Sequence, residues 1–231
     1  MFLKVIQIYY SKDQKPLLEP QYEPYLNENC TVFFENSVIV EKIMKDRAHS
    51  ECEYFAVISY KLREKIGAVM KERWKSLPEI ANHSSENFRP SAFEAVLKKY
   101  KPDVLSFQRH MPHDPVSVAN RFHPNFSLLF SKIMEKIGFQ YMPEMLNDVF
   151  YCNFFAAKST VYEAYVREML WPAMLVMEKM PELYENSRYP STLPTHLQDE
   201  WGINYYPYHS FLCERMFSYY AKSRGLNCLH F

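Results

Sequence analysis

A chain of 231 residues with 27 basic and 27 acidic side chains is long enough for one α/β domain with a substantial core. Its balanced charge leaves no net field to draw nucleic acid, an anionic membrane or a polyanionic substrate. The five cysteines (Cys30, Cys52, Cys152, Cys213, Cys228) form no CxxC pair and have too few histidines nearby for a metal site, which points to reduced thiols in a cytoplasmic protein.

The opening run, Met1 to Tyr10, carries Lys4 and Gln7 among its apolar residues and lacks a small-residue cleavage site, so it reads as a first strand and not as a leader. No apolar stretch nears the ~20 residues that span a bilayer. Ser11 to Asn29, punctuated by Pro16, Pro20 and Pro24, reads as a long loop. Helical spacing of Ile39, Ile43 and Met44 predicts a helix over Val38 to Arg47, and Glu53 to Ser59 predicts a buried strand. Gly67 to Trp74 is read as a helix and Pro78 to Pro90 as a polar loop. Ser91 and Glu94 have capping-box spacing and open a helix that runs to Tyr100. Val104 to Phe107 is then a short strand delivering Gln108, Arg109 and His110 at its carboxyl end, the edge at which open α/β sheets bind ligands.

A helix over Asn125 to Ile137 stops at Gly138, and Val149 to Ala157 is read as a strand. A second capping box, Thr160 with Glu163, predicts a helix to Leu170, with Pro172 as the first residue of another. Glu185 to Pro207 is expected to be an ordered aromatic loop, Ser210 to Lys222 a helix and Leu226 to Phe231 a last strand or tail. The alternation argues for a single α/β domain over 1–231 whose mostly parallel sheet is flanked by helices.

Chemistry-bearing patterns are sparse. The four glycines form no GxGxxG or P-loop, and no GxSxG marks a nucleophile. His110, His113, Asp114 and His123 are close enough in sequence to suggest a metal site, but Pro112 breaks any helix that would align them. On a helical wheel Glu214, Arg215 and Ser218 face away from the apolar side of the last helix. Asn153, set among Phe150, Phe154 and Phe155, needs hydrogen-bond partners either in the core or in a ligand.

Six ordered stretches carry a resemblance: Gln7-Ile-Tyr-Tyr10; Tyr54-Phe-Ala-Val-Ile-Ser-Tyr-Lys61 with Glu64 and Gly67; Asp103-Val-Leu-Ser-Phe107; Asn120-Xaa-Xaa-His-Pro124; Tyr151-Cys-Asn-Phe154; and Phe211-Leu-Cys-Glu-Arg-Met-Phe217. Together they resemble a glycosyltransferase-like family of bacterial capsular-polysaccharide loci and of phage and viral genomes. The resemblance implies a GT-A-like fold moving a sugar from a nucleotide-diphosphate donor to a glycan or lipid-linked acceptor hydroxyl, at most visiting a membrane. It implies that Tyr9, Tyr10, Ser59, Tyr60, Lys61, Gln108 and Arg109 hold the donor and that Asn120, His123, Asn153 and Arg215 bind sugar. Glu214 and His110 become the catalytic candidates, with Glu214 as the base. The family's metal-dependent members use an Asp-Xaa-Asp element, which this chain lacks. Mn²⁺ or Mg²⁺ would therefore need single acids such as Asp103 or Asp114, or else Lys61, Arg109 and Arg121 would neutralise the diphosphate without a metal. The same departure leaves open a non-catalytic nucleotide- or glycan-binding relative.

Overall fold

The structure is a computed structural model that describes residues 1–64, 91–107, 114–142, 149–150 and 152–230. Six strands form one mixed sheet: β1 (Leu3–Tyr9), β2 (Glu23–Leu26), β3 (Tyr54–Ser59), β4 (Val104–Ser106), β5 (Phe155–Lys158) and β6 (Cys228–His230), in the order β2-β1-β3-β5-β4-β6. All pairings are parallel except the two made by β5, which runs against its neighbours. The sheet is thus mixed, as a central strand reversed between parallel partners requires.

Strand alternation builds two cores. Ile6, Ile8, Phe55, Val57, Val104, Phe155 and Ala157 face the larger one, while Leu3, Val5, Tyr54, Ala56, Ile58, Leu105 and Ala156 face the other, as a two-residue side-chain period dictates. Against the larger core pack α1 (Glu35–Val40, continued by a π-turn over Glu41–Lys45), α3 (Pro115–Asn120), α4 (Phe126–Lys136), α5 (Ser159–Tyr165), α6 (Trp171–Met177) and α8 (His209–Ser223). The opposite face is covered by Phe93, Val96 and Leu97 of α2 (Ser91–Tyr100). Helix α7 (Thr195–Trp201) packs through Leu197 and Trp201 in a small cluster with Cys30, Phe34 and Leu193. No helix among the described residues is long and apolar enough to cross a membrane.

Several sequence expectations change. The proline-rich loop contains β2, whose Pro24 opposes Gln7 at the sheet edge, where a missing N–H is tolerated. Gln7 itself is fully buried and satisfied: its Oε1 accepts from Glu19 N at 2.7 Å and its Nε2 donates to Ser59 O at 3.4 Å. Strand β5 begins only at Phe155, because Cys152 and Asn153 both take left-handed backbone, φ 53° and 51°. Thr160 and Glu163 form no capping box. The helix starts at Ser159, whose hydroxyl donates to Cys52 O at 2.6 Å, while Glu163 faces His49 Nε2 at 3.1 Å and Arg167 Nε at 2.8 Å. Pro172 does lie in the first turn of α6, but no break in the backbone precedes that helix. Helical backbone runs from α5 into α6 through a π-turn at Val166–Leu170, which absorbs the bond that a proline cannot donate. The Gly67 to Trp74 helix and the Pro78 to Pro90 loop lie outside the described residues.

Asp114 has a structural role. Its carboxylate caps α3 by accepting from Ser117 N at 2.6 Å, and it also accepts from the Tyr141 hydroxyl at 3.0 Å and from the Tyr219 hydroxyl of α8. Removing it uncaps a helix and strands two phenols. Asp114→Ala is expected to lower unfolding free energy by about 2–4 kcal/mol, measured by urea denaturation, with Asp114→Asn intermediate.

Candidate functional site

The parallel pairing of β1 with β2 on one side and β3 on the other makes the carboxyl end of β1 a point where the chain switches sides, the place where open α/β sheets leave a crevice. A cleft of about 370 Å³ lies there. Tyr10 enters it directly after β1, and Ser59 at the end of β3 is followed into it by Tyr60 and Lys61. Ser59 Oγ accepts from Lys61 N at 3.3 Å, and Tyr60 N donates to Ile8 O at 2.8 Å, so the turn leaving β3 is tied to β1.

Helices complete the walls. The start of α1 contributes Phe34 and Glu35, α8 contributes Ser210, Phe211, Glu214 and Arg215, and the segment before β5 contributes Cys152 and Phe154. The aromatic stretch 185–207 supplies Tyr189 and Tyr206. Its rings interlock: Tyr189 lies 5.3 Å from Tyr206 and 5.2 Å from Phe211, and Tyr206 lies 5.6 Å from Phe34, which meets Tyr10 at 6.1 Å. Such a belt presents ring faces and edges to a flat or ring-shaped ligand.

Two carboxylates and two cations face one another inside this belt. Arg215 donates to Glu214 Oε2 at 3.0 Å and to Phe211 O at 2.8 Å, and its guanidinium lies over the Phe126 and Phe211 rings. Burial, and then the neighbouring charge of Glu214, push the Glu35 carboxyl up to about 7, against weaker opposition from a backbone hydrogen bond, Tyr10 and Lys61. The Tyr10 phenol is raised by burial first and by Glu35 next. A carboxyl raised to about 7 with a second carboxyl group beside it is an arrangement from which acid–base chemistry is built.

Of the residues anticipated from sequence, Tyr10, Ser59, Tyr60, Lys61, Glu214 and Arg215 line one cleft. Tyr9 is buried and does not line it. Asn120 is exposed and accepts from Ser127 N at 3.2 Å and Ser127 Oγ at 3.3 Å at the start of α4. His123 is buried behind the wall, stacked on Phe211 at 5.0 Å, with its pKa lowered to about 4 by burial and then by Arg215. Asn153 is buried and donates to Asn36 Oδ1 at 3.2 Å. Gln108, Arg109, His110 and His113 lie outside the described residues. Asp103 accepts from Lys158 Nζ at 2.8 Å and Asn227 N at 2.9 Å, at the amino end of β4 and so at the edge away from the cleft. Among the described residues no three His, Cys, Asp or Glu side chains are grouped to hold a metal ion; Glu35 and Glu214 are the acidic oxygen donors that the cleft offers.

Sequence reasoning missed Glu35, Tyr189 and Tyr206. Glu35 had one legible signal, an acid beside two phenylalanines ahead of a helical apolar pattern. A larger hollow of about 680 Å³ along the amino half of β1 is rimmed by charges already paired: Arg63 Nε with Glu19 at 2.5 Å, and Lys4 with Glu51 at 3.1 Å and Glu23 at 3.5 Å. Comparison with family profiles, with curated proteins and with solved structures gives no match.

Glu35 gives the fold a pH signature. A carboxyl raised from 4.5 to about 7 holds its proton longer in the folded than in the unfolded chain, so its contribution is full below the unfolded value and is lost as pH rises through about 7. His209, fully buried and lowered to about 4 by burial, acts in the opposite sense, its contribution being lost as pH falls from 6.5 through 4. Glu35→Gln is expected to stabilise the protein at pH 8 by roughly 1–2 kcal/mol and to leave it little changed at pH 4.5. Chemical denaturation at the two pH values measures the difference, and equal effects at both would contradict the assignment.

Proposed function

We propose that the protein is a glycosyltransferase that uses a nucleotide-diphosphate sugar, with the cleft at the carboxyl ends of β1 and β3 as its donor and reaction site. The observation that carries the reading is the cleft's position. An aromatic-lined crevice at a sheet switch point, entered by a lysine and two carboxylates, suits a ligand with rings at its ends and charge between them. The six-strand α/β sheet is compatible with a GT-A-like arrangement, and the aromatic belt is suited to stacking a base or a pyranose ring.

In this reading the acceptor hydroxyl loses its proton to Glu35 as its oxygen bonds to the anomeric carbon. The bond from that carbon to the diphosphate breaks, and its electron pair stays on the leaving diphosphate oxygen. Lys61 and Arg215 face the growing negative charge, which a preformed cation stabilises most at the moment of bond cleavage. Glu35 replaces Glu214 as the base. Glu214 is committed to Arg215, whereas a carboxyl titrating at about 7 is matched to proton transfer near neutral pH. The acceptor is a glycan or lipid-linked sugar reached from the cytoplasmic side, by a peripheral visit where the acceptor is membrane-bound. A divalent cation, where one is required, would take oxygens from Glu35 or Glu214 and from the donor diphosphate.

The test is a panel of nucleotide-diphosphate sugars with and without Mn²⁺, read by thermal shift and by donor turnover. At least one donor is expected to raise the melting temperature. Glu35→Gln is expected to cut turnover about 10²–10⁴-fold while donor binding persists, and Lys61→Ala to weaken donor binding. Binding with no turnover in the unaltered protein would assign a non-catalytic binding relative, and failure of every donor to bind would overturn both.

A further inference from the structure

Two strained turns meet behind the cleft. Phe34, which precedes α1, holds φ 49° and ψ −125°, a region costly for a residue with a Cβ. Cys152 and Asn153, which precede β5, hold φ 53° and 51° in succession. Each turn delivers wall residues: Phe34 and Glu35 from one, Cys152 and Phe154 from the other.

A buried amide chain ties the turns together across 117 positions of sequence. Asn153 Nδ2 donates to Asn36 Oδ1 at 3.2 Å, and Asn36 Nδ2 donates to Phe33 O at 3.0 Å. Asn36 is fully buried and Asn153 is 4% exposed. The chain therefore connects the backbone just before Glu35 with the turn on the far side of the cleft. A side-chain amide can do this where an apolar group cannot, because it accepts through Oδ1 and donates through Nδ2.

We infer that Asn36 and Asn153 are positioning residues whose amide–amide bond holds the Glu35 carboxylate in its place within the cleft. Release of that bond lets the start of α1 move outward, admitting water to Glu35 and separating it from Glu214. The charged and titratable groups that face Glu35 among the described residues are Glu214 and Arg215 from α8, Tyr10 after β1, Lys61 after β3, Cys30 from the preceding loop and Tyr206 from the aromatic stretch; none of them is altered by the change. Backbone strain at 34, 152 and 153 fits the same role, since strained backbone persists only where its surroundings over-determine it.

The deciding variant is Asn153→Gly, because glycine adopts a φ of 51° without strain and so deletes the amide while sparing the turn. The readout is the ionisation midpoint of Glu35, followed by carboxyl ¹³C NMR in the free protein. Asn153→Gly is expected to fold and to move that midpoint down by roughly one pH unit. Asn36→Ala should do the same, with no further shift in the double variant, and it reads the bond from the other side should Asn153→Gly fail to fold. Asp114→Ala, which weakens the fold elsewhere, should leave the midpoint in place. A midpoint unchanged in Asn153→Gly and Asn36→Ala, with stability lowered as in Asp114→Ala, would make the pair purely structural and overturn the inference. The role of Glu35 as base rests on the transferase reading, whereas this measurement needs no donor. A shifted midpoint in a protein that turns over no sugar nucleotide keeps the clamp and removes the transferase.

Discussion

The six-residue parallel register between β1 and β3, from Leu3 opposite Tyr54 to Ile8 opposite Ser59, is the constraint on which the rest depends. It ends both strands at one level, so Tyr10 and the Ser59–Lys61 turn emerge side by side. It also fixes which residues face which core: a slip of one position would exchange Ile6 and Ile8 for Val5 and the buried Gln7. Gln7 makes such a slip costly, because its amide is satisfied only where Glu19 N and Ser59 O come within reach.

On that edge the helices act as walls with chemistry attached. Helix α8 turns Leu212, Cys213, Met216 and Phe217 into the core and Glu214 and Arg215 into the cleft. The helical period anticipated that division except at Ser218, which is fully buried and accepts from Phe150 N at 2.9 Å. The aromatic stretch 185–207 packs Tyr189 and Tyr206 onto Phe211 and Phe34, so the cleft's rim and the protein's hydrophobic packing are one structure. Substitution of a rim ring therefore acts on ligand contact and on the placement of α8 together.

Most strands and the long helices could be read from sequence because their signals are local: apolar runs, helical spacing and a glycine stop with φ 80° at Gly138. What escaped was set by contacts distant in sequence. Strand β2 hides behind Pro24 and exists because β1 offers it an edge. Asn153 was legible as an amide in need of a partner, but its partner Asn36 lies 117 residues away. Glu35 has no motif around it. Its character comes from burial and from Glu214, and neither is visible until α1 and α8 are brought together. Thr160 and Glu163 show the converse, a local pattern overruled when Glu163 found His49 and Arg167.

The balance of charge within the cleft bears on how a diphosphate would be held. Lys61 and Arg215 are matched by Glu35 and Glu214, so the described cleft offers no surplus of positive charge, just as the whole chain offers none. Attraction from a distance is weak under these conditions. Selectivity must then come from direction: Arg215 is held beside Glu214, while Lys61 reaches in from the turn after β3 and the rings line the walls. Arg215 is oriented by Glu214, by Phe211 O and by two phenyl faces, and both hydrogen bonds use Nη1 while its buried Nε has no partner among the described residues. Lys61, exposed and 5.8 Å from the Tyr60 ring, can move toward a ligand, whereas Arg215 can only receive one. A ligand whose negative charge lies on the Lys61 side and whose hydroxyls reach Glu35 satisfies both constraints, and the reverse orientation would set its charge against the raised carboxyl.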